Sequence, residues 1–226
     1  MKKRKITALL LCVAAIFTLT ACGSQEESGP SVSLEDTADT ADTPAGGDNI
    51  LIAYFSVPET DGTDTVAGAS RVSVDGQVMG NNEYVAHLIQ QQTGGDLFAI
   101  ETEQEYPGTH DELLDFAYNE MTEGARPALA SQIENLDSYD TIFLGYPNWN
   151  ADLPMPLYTF LEEYDLSGKT IIPFTTHGGS GFSGTIDTIQ ELQPNAQVVQ
   201  DGLSISRNNV PDAAGEVADW VAGLGF

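Results

Sequence analysis

Three stretches of the sequence hold residues whose types and spacing could do chemistry on a small molecule. Phe174–Gly184 reads FTTHGGSGFSG, with four glycines and four hydroxyl residues around one histidine. Tyr146–Pro154 reads YPNWNADLP, which sets amides beside a single large aromatic, Trp149. The third is split: Ser56 closes an apolar run, and Gly80-Asn81-Asn82 opens a helical pattern 24 residues later. Such residues could form a nucleophile's turn, a phosphate cradle, or loops whose backbone approaches a flat ring.

The nucleophile reading fails on spacing. A strand-to-helix elbow needs G-x-S-x-G. Around Ser180 the chain gives Gly178-Gly179-Ser180-Gly181-Phe182, and around Ser183 it gives Gly181-Phe182-Ser183-Gly184-Thr185, so the last glycine is missing from both. All three histidines, His87, His110 and His177, also precede Ser180, whereas that architecture places its histidine after the serine.

Other chemistries fail in the same way. A dinucleotide site needs G-x-G-x-x-G directly after the first strand, and the chain there reads VPETDGTDTVAGAS. A phosphate-accepting receiver needs acidic strand ends where this chain has AYFS and GYPNW. Three scattered histidines offer no metal spacing, and Glu59, Asp61 and Asp64 lack the pattern of a calcium loop. What remains suits a ligand site: glycine for close approach, Asn and Ser for hydrogen bonds, and Trp149 for an apolar plane.

The elements that must position these loops follow from periodicity. Continuous apolar runs at 49–56, 96–102, 140–147, 169–176 and 196–206 suit strands buried on both faces. Helical spacing fills the gaps at 82–92, 110–121, 155–164, 185–192 and 211–223. Five alternations predict a doubly wound α/β fold with a five-stranded parallel sheet. Right-handed crossovers then bring the loops after the strands to one rim, where such sheets bind ligands.

The chain begins MKKRKITALLLCVAAIFTLTACGS, a basic start and a short apolar run ending in Leu19-Thr20-Ala21-Cys22. The basic start and apolar run predict a secretory signal over 1–21. The ending Leu19-Thr20-Ala21-Cys22 resembles a bacterial lipobox, which implies Cys22 as the lipidated first residue of the mature chain; the alternative is an ordinary signal peptide or a single anchor. Residues 22–48 are acidic and poor in large apolar side chains, so they predict a disordered tether with a reach of about 28 Å. Residues 49–226 have the length expected of one compact domain. Removing the signal leaves Arg71, Arg126, Lys169 and Arg207 as the only Lys or Arg residues, against 34 acidic ones. That charge excludes nucleic acid as a partner. Cys12 leaves with the signal, so no disulfide can form within the mature chain.

With the loops in view, the sequence resembles the flavodoxin-like family, in particular longer relatives that carry secretion signals. ILIAYFS resembles the family's first strand, DSYDTIFLGYPNWNADLPMPLYTFLE its third strand, flavin loop and helix, and LSGKTIIPFTTHGGSGFSGTI its fourth strand and second flavin loop. The resemblance implies strand order 2-1-3-4-5 and noncovalent FMN. Phosphate contacts would fall to Ser56, Gly80, Asn81 and Asn82, and ring contacts to Pro147, Asn148, Trp149, Asn150, Thr176, His177, Gly178, Gly179, Ser180 and Gly181.

In the family the phosphate loop runs S/T-x-T-G-N-T without a lysine. Here Ser56 matches its first hydroxyl and Asn82 stands in place of its last threonine. Residues 57–79 therefore read as an insertion within that loop, containing a small hairpin whose Val72, Val74 and Val78 can pack on the domain. It serves either as a flap over the ligand or as a passive decoration. Asn82 has a second reading as the helix N-cap, His177 as a loop histidine bonded to backbone, and Arg126 as an ion-pair partner. Tyr146 and Tyr158 read as packing residues.

The resemblance implies electron transfer with a partner protein or a small-molecule acceptor, from a site anchored to the outer side of the cell membrane by the Cys22 lipid. An FMN-dependent reductase of quinones or similar acceptors is the enzymatic alternative. A flavin-binding lipoprotein without redox turnover is a third.

Overall fold

The structure, a computed structural model, describes residues 49–60, 71–74 and 76–226. The expected signal, Cys22 and the tether lie outside the described residues, as do 61–70 and 75.

Among the described residues, five helices alternate with the strands of a parallel sheet. The order is β1 (Ile50–Tyr54), β2 (Arg71–Val74), β3 (Gln77–Gly80), α1 (Asn81–Thr93), β4 (Asp96–Ala99) and α2 (His110–Glu123). It continues with β5 (Thr141–Pro147), α3 (Met155–Glu163), β6 (Thr170–His177), α4 (Thr185–Leu192), β7 (Gln197–Val198), β8 (Leu203–Ser206) and α5 (Ala214–Leu224). A 3₁₀ turn, Arg207–Asp212, joins β8 to α5.

The sheet runs β4-β1-β5-β6-β7, with β8 also paired to β6, and every pairing is parallel. Counted by position in the sheet, this is the expected order 2-1-3-4-5. The fifth position differs from the single strand read over 196–206. It is two short strands: β7 pairs with Thr170 and Ile171, and β8 with Phe174 to His177. The break lies opposite Pro173, which has no N–H to give to a neighbouring strand.

Strand alternation sorts the apolar residues into two cores, one on each face. Leu51 and Ala53 of β1, with Ile142, Leu144 and Tyr146 of β5, pack against Leu113 of α2, Leu157 and Phe160 of α3, and Ile189 of α4. Ile50, Ile52, Phe143, Ile172 and Phe174 face the other way, onto Val85 and Ile89 of α1 and Val217 and Val221 of α5. Gly145 sits where β5 and β6 approach closest, since a Cβ there would fall 2.1 Å from the Phe174 ring.

The hairpin expected in the insertion is present as β2 and β3, antiparallel, with Gly76 at φ +79° in its turn. Val72 is buried in the α1/α5 core and Val74 packs against it. Val78 corrects the sequence reading: it is 57% exposed. The register opposes Ser73 to Val78 and Val72 to Met79, so Val78 falls on the outer face and Met79 takes the inner place.

Candidate functional site

The C-terminal ends of β1, β5 and β6 and the start of α1 converge on one rim, as parallel topology requires. Gly80 is the residue before the first turn of α1, and its N–H is held by Glu83 Oε2 at 3.0 Å. Asn81 and Asn82 lie inside that turn and are buried. Asn82 is therefore not the N-cap. Its Nδ2 instead donates to Thr176 Oγ1 at the end of β6, at 3.0 Å.

Thr176 is the hinge of a longer network. Its carbonyl accepts from the backbone N–H of Asn148 at 2.9 Å. Asn148 Nδ2 then donates to the carbonyl of Gly181 at 2.7 Å and to Ser183 Oγ at 3.2 Å. Four predicted site residues from three segments, Asn82, Thr176, Asn148 and Gly181, are thus joined by direct hydrogen bonds. On the same rim, Ser56 Oγ, Asn82 Oδ1 and Asn148 Oδ1 are buried without a hydrogen-bond partner among the described residues. Buried polar atoms are ordinarily paired, so these three suit a ligand carrying both acceptors and donors.

The loop after β5 turns tightly. Trp149 and Asp152 exchange backbone hydrogen bonds at 3.2 and 2.9 Å, and both residues between them are left-handed, Asn150 at φ +54° and Ala151 at φ +64°. Two positive φ values in a two-residue loop match a type I′ turn. Asn150 is exposed at its tip, while Pro147, Asn148 and Trp149 are buried. The Trp149 indole packs edge-on against Phe55, with centroids 5.5 Å apart, and obliquely against Tyr106 at 5.8 Å.

The loop after β6 leaves Gly178, Gly179 and Ser180 exposed. Gly179 has φ +138°, with open space where a Cβ would stand, so a flat ligand could approach its backbone. His177 Nδ1 accepts from the N–H of Gly179 at 2.9 Å. Partial desolvation lowers the imidazole's pKa. The neutral ring therefore carries its proton on Nε2. This bond to its own loop is the backbone contact that the sequence allowed for His177.

The bland readings hold elsewhere. Tyr146 is fully buried, its hydroxyl 2.9 Å from Thr185 Oγ1, and burial raises its pKa. Arg126 pairs through two nitrogens with Glu162, both at 2.8 Å, and lies 4.7 Å over the Tyr158 ring.

Sequence reasoning missed the loop after β4. Tyr106 comes from it, touches Trp149, and donates its hydroxyl to Glu120 Oε2 at 2.8 Å. With Phe55, Pro58 and Ile100 it lines a cavity of about 370 Å³ beside Ser56. The available signal was topological, since this loop must end on the same rim. A second missed pair, Glu59 and His110, meets at 2.6 Å with both side chains buried, and fixes the first residues after β1 to the start of α2.

Comparison with known proteins bears on the fold and the family. The chain is similar to a protein from Bacteroides eggerthii designated a flavoprotein, at 26% identity and TM-score 0.59, over 79% of this chain and 98% of that one. A similarly designated protein from Bacteroides uniformis is 29% identical, with TM-score 0.55, over 74% and 97%. A flavoprotein from Lactobacillus acidophilus, solved in complex with FMN, shares the fold at 17% identity and TM-score 0.53, over 77% and 99%. No curated protein matches the chain in sequence. The flavodoxin family model matches residues 74–224, two thirds of the sequence, and the chain belongs to the flavodoxin family.

Proposed function

We propose that this rim binds FMN noncovalently and that the protein carries electrons between partners outside the cytoplasmic membrane, held there by a lipid on Cys22. The observation that carries the ligand reading is the set of three buried, unpartnered polar atoms, Ser56 Oγ, Asn82 Oδ1 and Asn148 Oδ1, on three segments of one rim. Their chemistry fits the cofactor. Ser56 offers a hydroxyl donor to a phosphate oxygen, and the two amide oxygens accept from ribityl hydroxyls or a ring N–H. The N-terminus of α1 adds the positive end of a helix dipole, which favours a phosphate there, while the Gly80 N–H is already held by Glu83.

When bound, FMN supplies the one- and two-electron redox chemistry. The chain's own part is to orient and shield it. Asn148 and Thr176 tie the two ring loops together, Trp149 supplies an aromatic surface, and the 178–181 backbone supplies donors to a ring edge. Neutral His177 adds an Nε2 proton near that loop without adding charge. A surface with so few Lys and Arg residues supports a cationic redox partner.

A titration of flavin fluorescence tests the ligand. One equivalent of FMN should bind, and riboflavin should bind at least tenfold more weakly, because each lost charge-assisted hydrogen bond is worth about 1.5–3 kcal/mol. Equal affinities would overturn a phosphate-anchored site. The cavity beside Phe55 and Tyr106 supports a second reading, reduction of a small acceptor such as a quinone by an FMN-dependent enzyme. Steady turnover of a quinone with a nicotinamide donor would select it over a carrier.

A further inference from the structure

Trp149, Tyr106 and Glu120 form a chain of direct contacts, of which the ligand reading uses only Trp149. The rings of Trp149 and Tyr106 are 5.8 Å apart, and the Tyr106 hydroxyl donates to Glu120 Oε2 at 2.8 Å. Glu120 is buried, takes a second hydrogen bond from Gln104 on its other oxygen, and has no ion-pair partner among the described residues. The other ring against Trp149 is Phe55, which is far harder to oxidise than a phenol. An oxidised indole therefore has one good electron donor in ring contact, and that donor is already bonded to a base.

A phenol resists losing an electron alone, because the resulting radical cation is a very strong acid. The step becomes accessible when a positioned base takes the proton in the same event. We propose that these three residues form a relay for one-electron oxidising equivalents: an electron passes from Tyr106 to the radical cation of Trp149 while the Tyr106 hydroxyl proton passes to Glu120 Oε2. The products are a neutral indole, a neutral tyrosyl radical and a protonated Glu120, so charge balances. Burial without a cation raises the Glu120 pKa, which strengthens it as the acceptor.

The relay also has an exit. Tyr106 lines the open cavity that holds Phe55 and Ile100, and the exposed residues Glu101 and Glu105 line it too. Those carboxylates favour neutral or cationic reductants over anionic ones. An uncharged thiol or phenol reaching the cavity returns one electron to the tyrosyl radical, releases its own proton to solvent and leaves as a thiyl or phenoxyl radical, while Glu120 returns the proton to Tyr106. The effect is to carry damage by oxygen-derived radicals away from the aromatic of the ligand rim. Only the value of protecting that rim rests on the FMN reading; the relay does not.

The test uses the ligand-free full chain. Trp149 and Trp220 are its only indoles, so Trp220→Phe leaves Trp149 alone. Ultraviolet laser photoionisation then oxidises Trp149 without any access requirement. The absorption of the indole radical cation should convert to tyrosyl absorption at a rate independent of protein concentration and slower in D₂O. Tyr106→Phe should abolish the conversion, and Glu120→Gln should slow it about tenfold or more, a barrier change of about 1.4 kcal/mol. Absence of conversion in the parent, its survival in Tyr106→Phe, or an unchanged rate in Glu120→Gln would each overturn the relay. The D₂O comparison needs neither of those two substitutions, so it still decides the matter if they unfold. FMN affinity is measured separately on the same chain, so loss of one reading is distinguishable from loss of the other.

Discussion

Asn82 on the first turn of α1 donates to Thr176 at the end of β6, across 94 residues of sequence and inside the protein. The bond fixes the helix that would face a phosphate to the strand that launches the second ring loop. Asn82→Ala and Thr176→Val should each destabilise the ligand-free protein. Their double-mutant cycle should show a coupling of about 0.5–1.5 kcal/mol in denaturant unfolding. Strict additivity would mean that the bond is absent in solution.

Gly145→Ala should be costly. The added methyl meets the fully buried Phe174 ring at 2.1 Å, between two paired strands that have no slack. Overpacking of this kind costs about 1–3 kcal/mol. Thermal unfolding would show the loss, and Phe174→Leu in the same chain should recover part of it.

The loop after β6 should depend on pH. Folding holds His177 in its neutral form, so its pKa is depressed relative to the unfolded chain. The stability of the Gly179 contact is therefore fully present above the ordinary histidine value of about 6.5, and is lost as pH falls through the lower folded value. Denaturant unfolding of wild type and His177→Ala should differ by no more than about 1 kcal/mol near neutrality, since solvent reaches this loop. The two should converge in mild acid. A difference that grows as pH falls would contradict the assignment.

Ala151→Gly should stabilise the protein. Alanine at φ +64° carries left-handed strain of about 1–2 kcal/mol, of which glycine's unfolded-state entropy returns about 0.5–1. A net gain of about 0.5–1 kcal/mol is expected from the resulting Asn-Gly turn, checked by the midpoint of urea unfolding. A loss would mean that the turn is not type I′ in solution.

Much of the fold was legible because it depends on local pattern. The apolar run at 140–147 became Thr141–Pro147, and the helical spacing at 185–192 became Thr185–Leu192. What was not legible depends on which residues pair across strands and loops, which the local apolar pattern does not set. The split fifth strand answers to Pro173 on its neighbour, and the face of Val78 is set by its pairing with Ser73. The site divides along the same line. Glycines and amides marked the loops, but the partner of Asn82 is on β6, and the rings around Trp149 come from β1's end and the loop after β4.

The broken fifth strand also bears on self-association. A sheet edge exposes unpaired N–H and C=O groups that can recruit another chain, and long flat edges are the hazardous ones. Here one edge is the four-residue β4, and the other is divided into pieces of two and four residues with Val199, Gln200, Asp201 and Gly202 between them. The Trp220 indole N–H donates to the Asp201 carbonyl at 3.3 Å, so one carbonyl of the gap is already engaged. Neither edge presents a ladder long enough to template amyloid-like pairing, and molecules crowded together on a surface would keep their sheets separate.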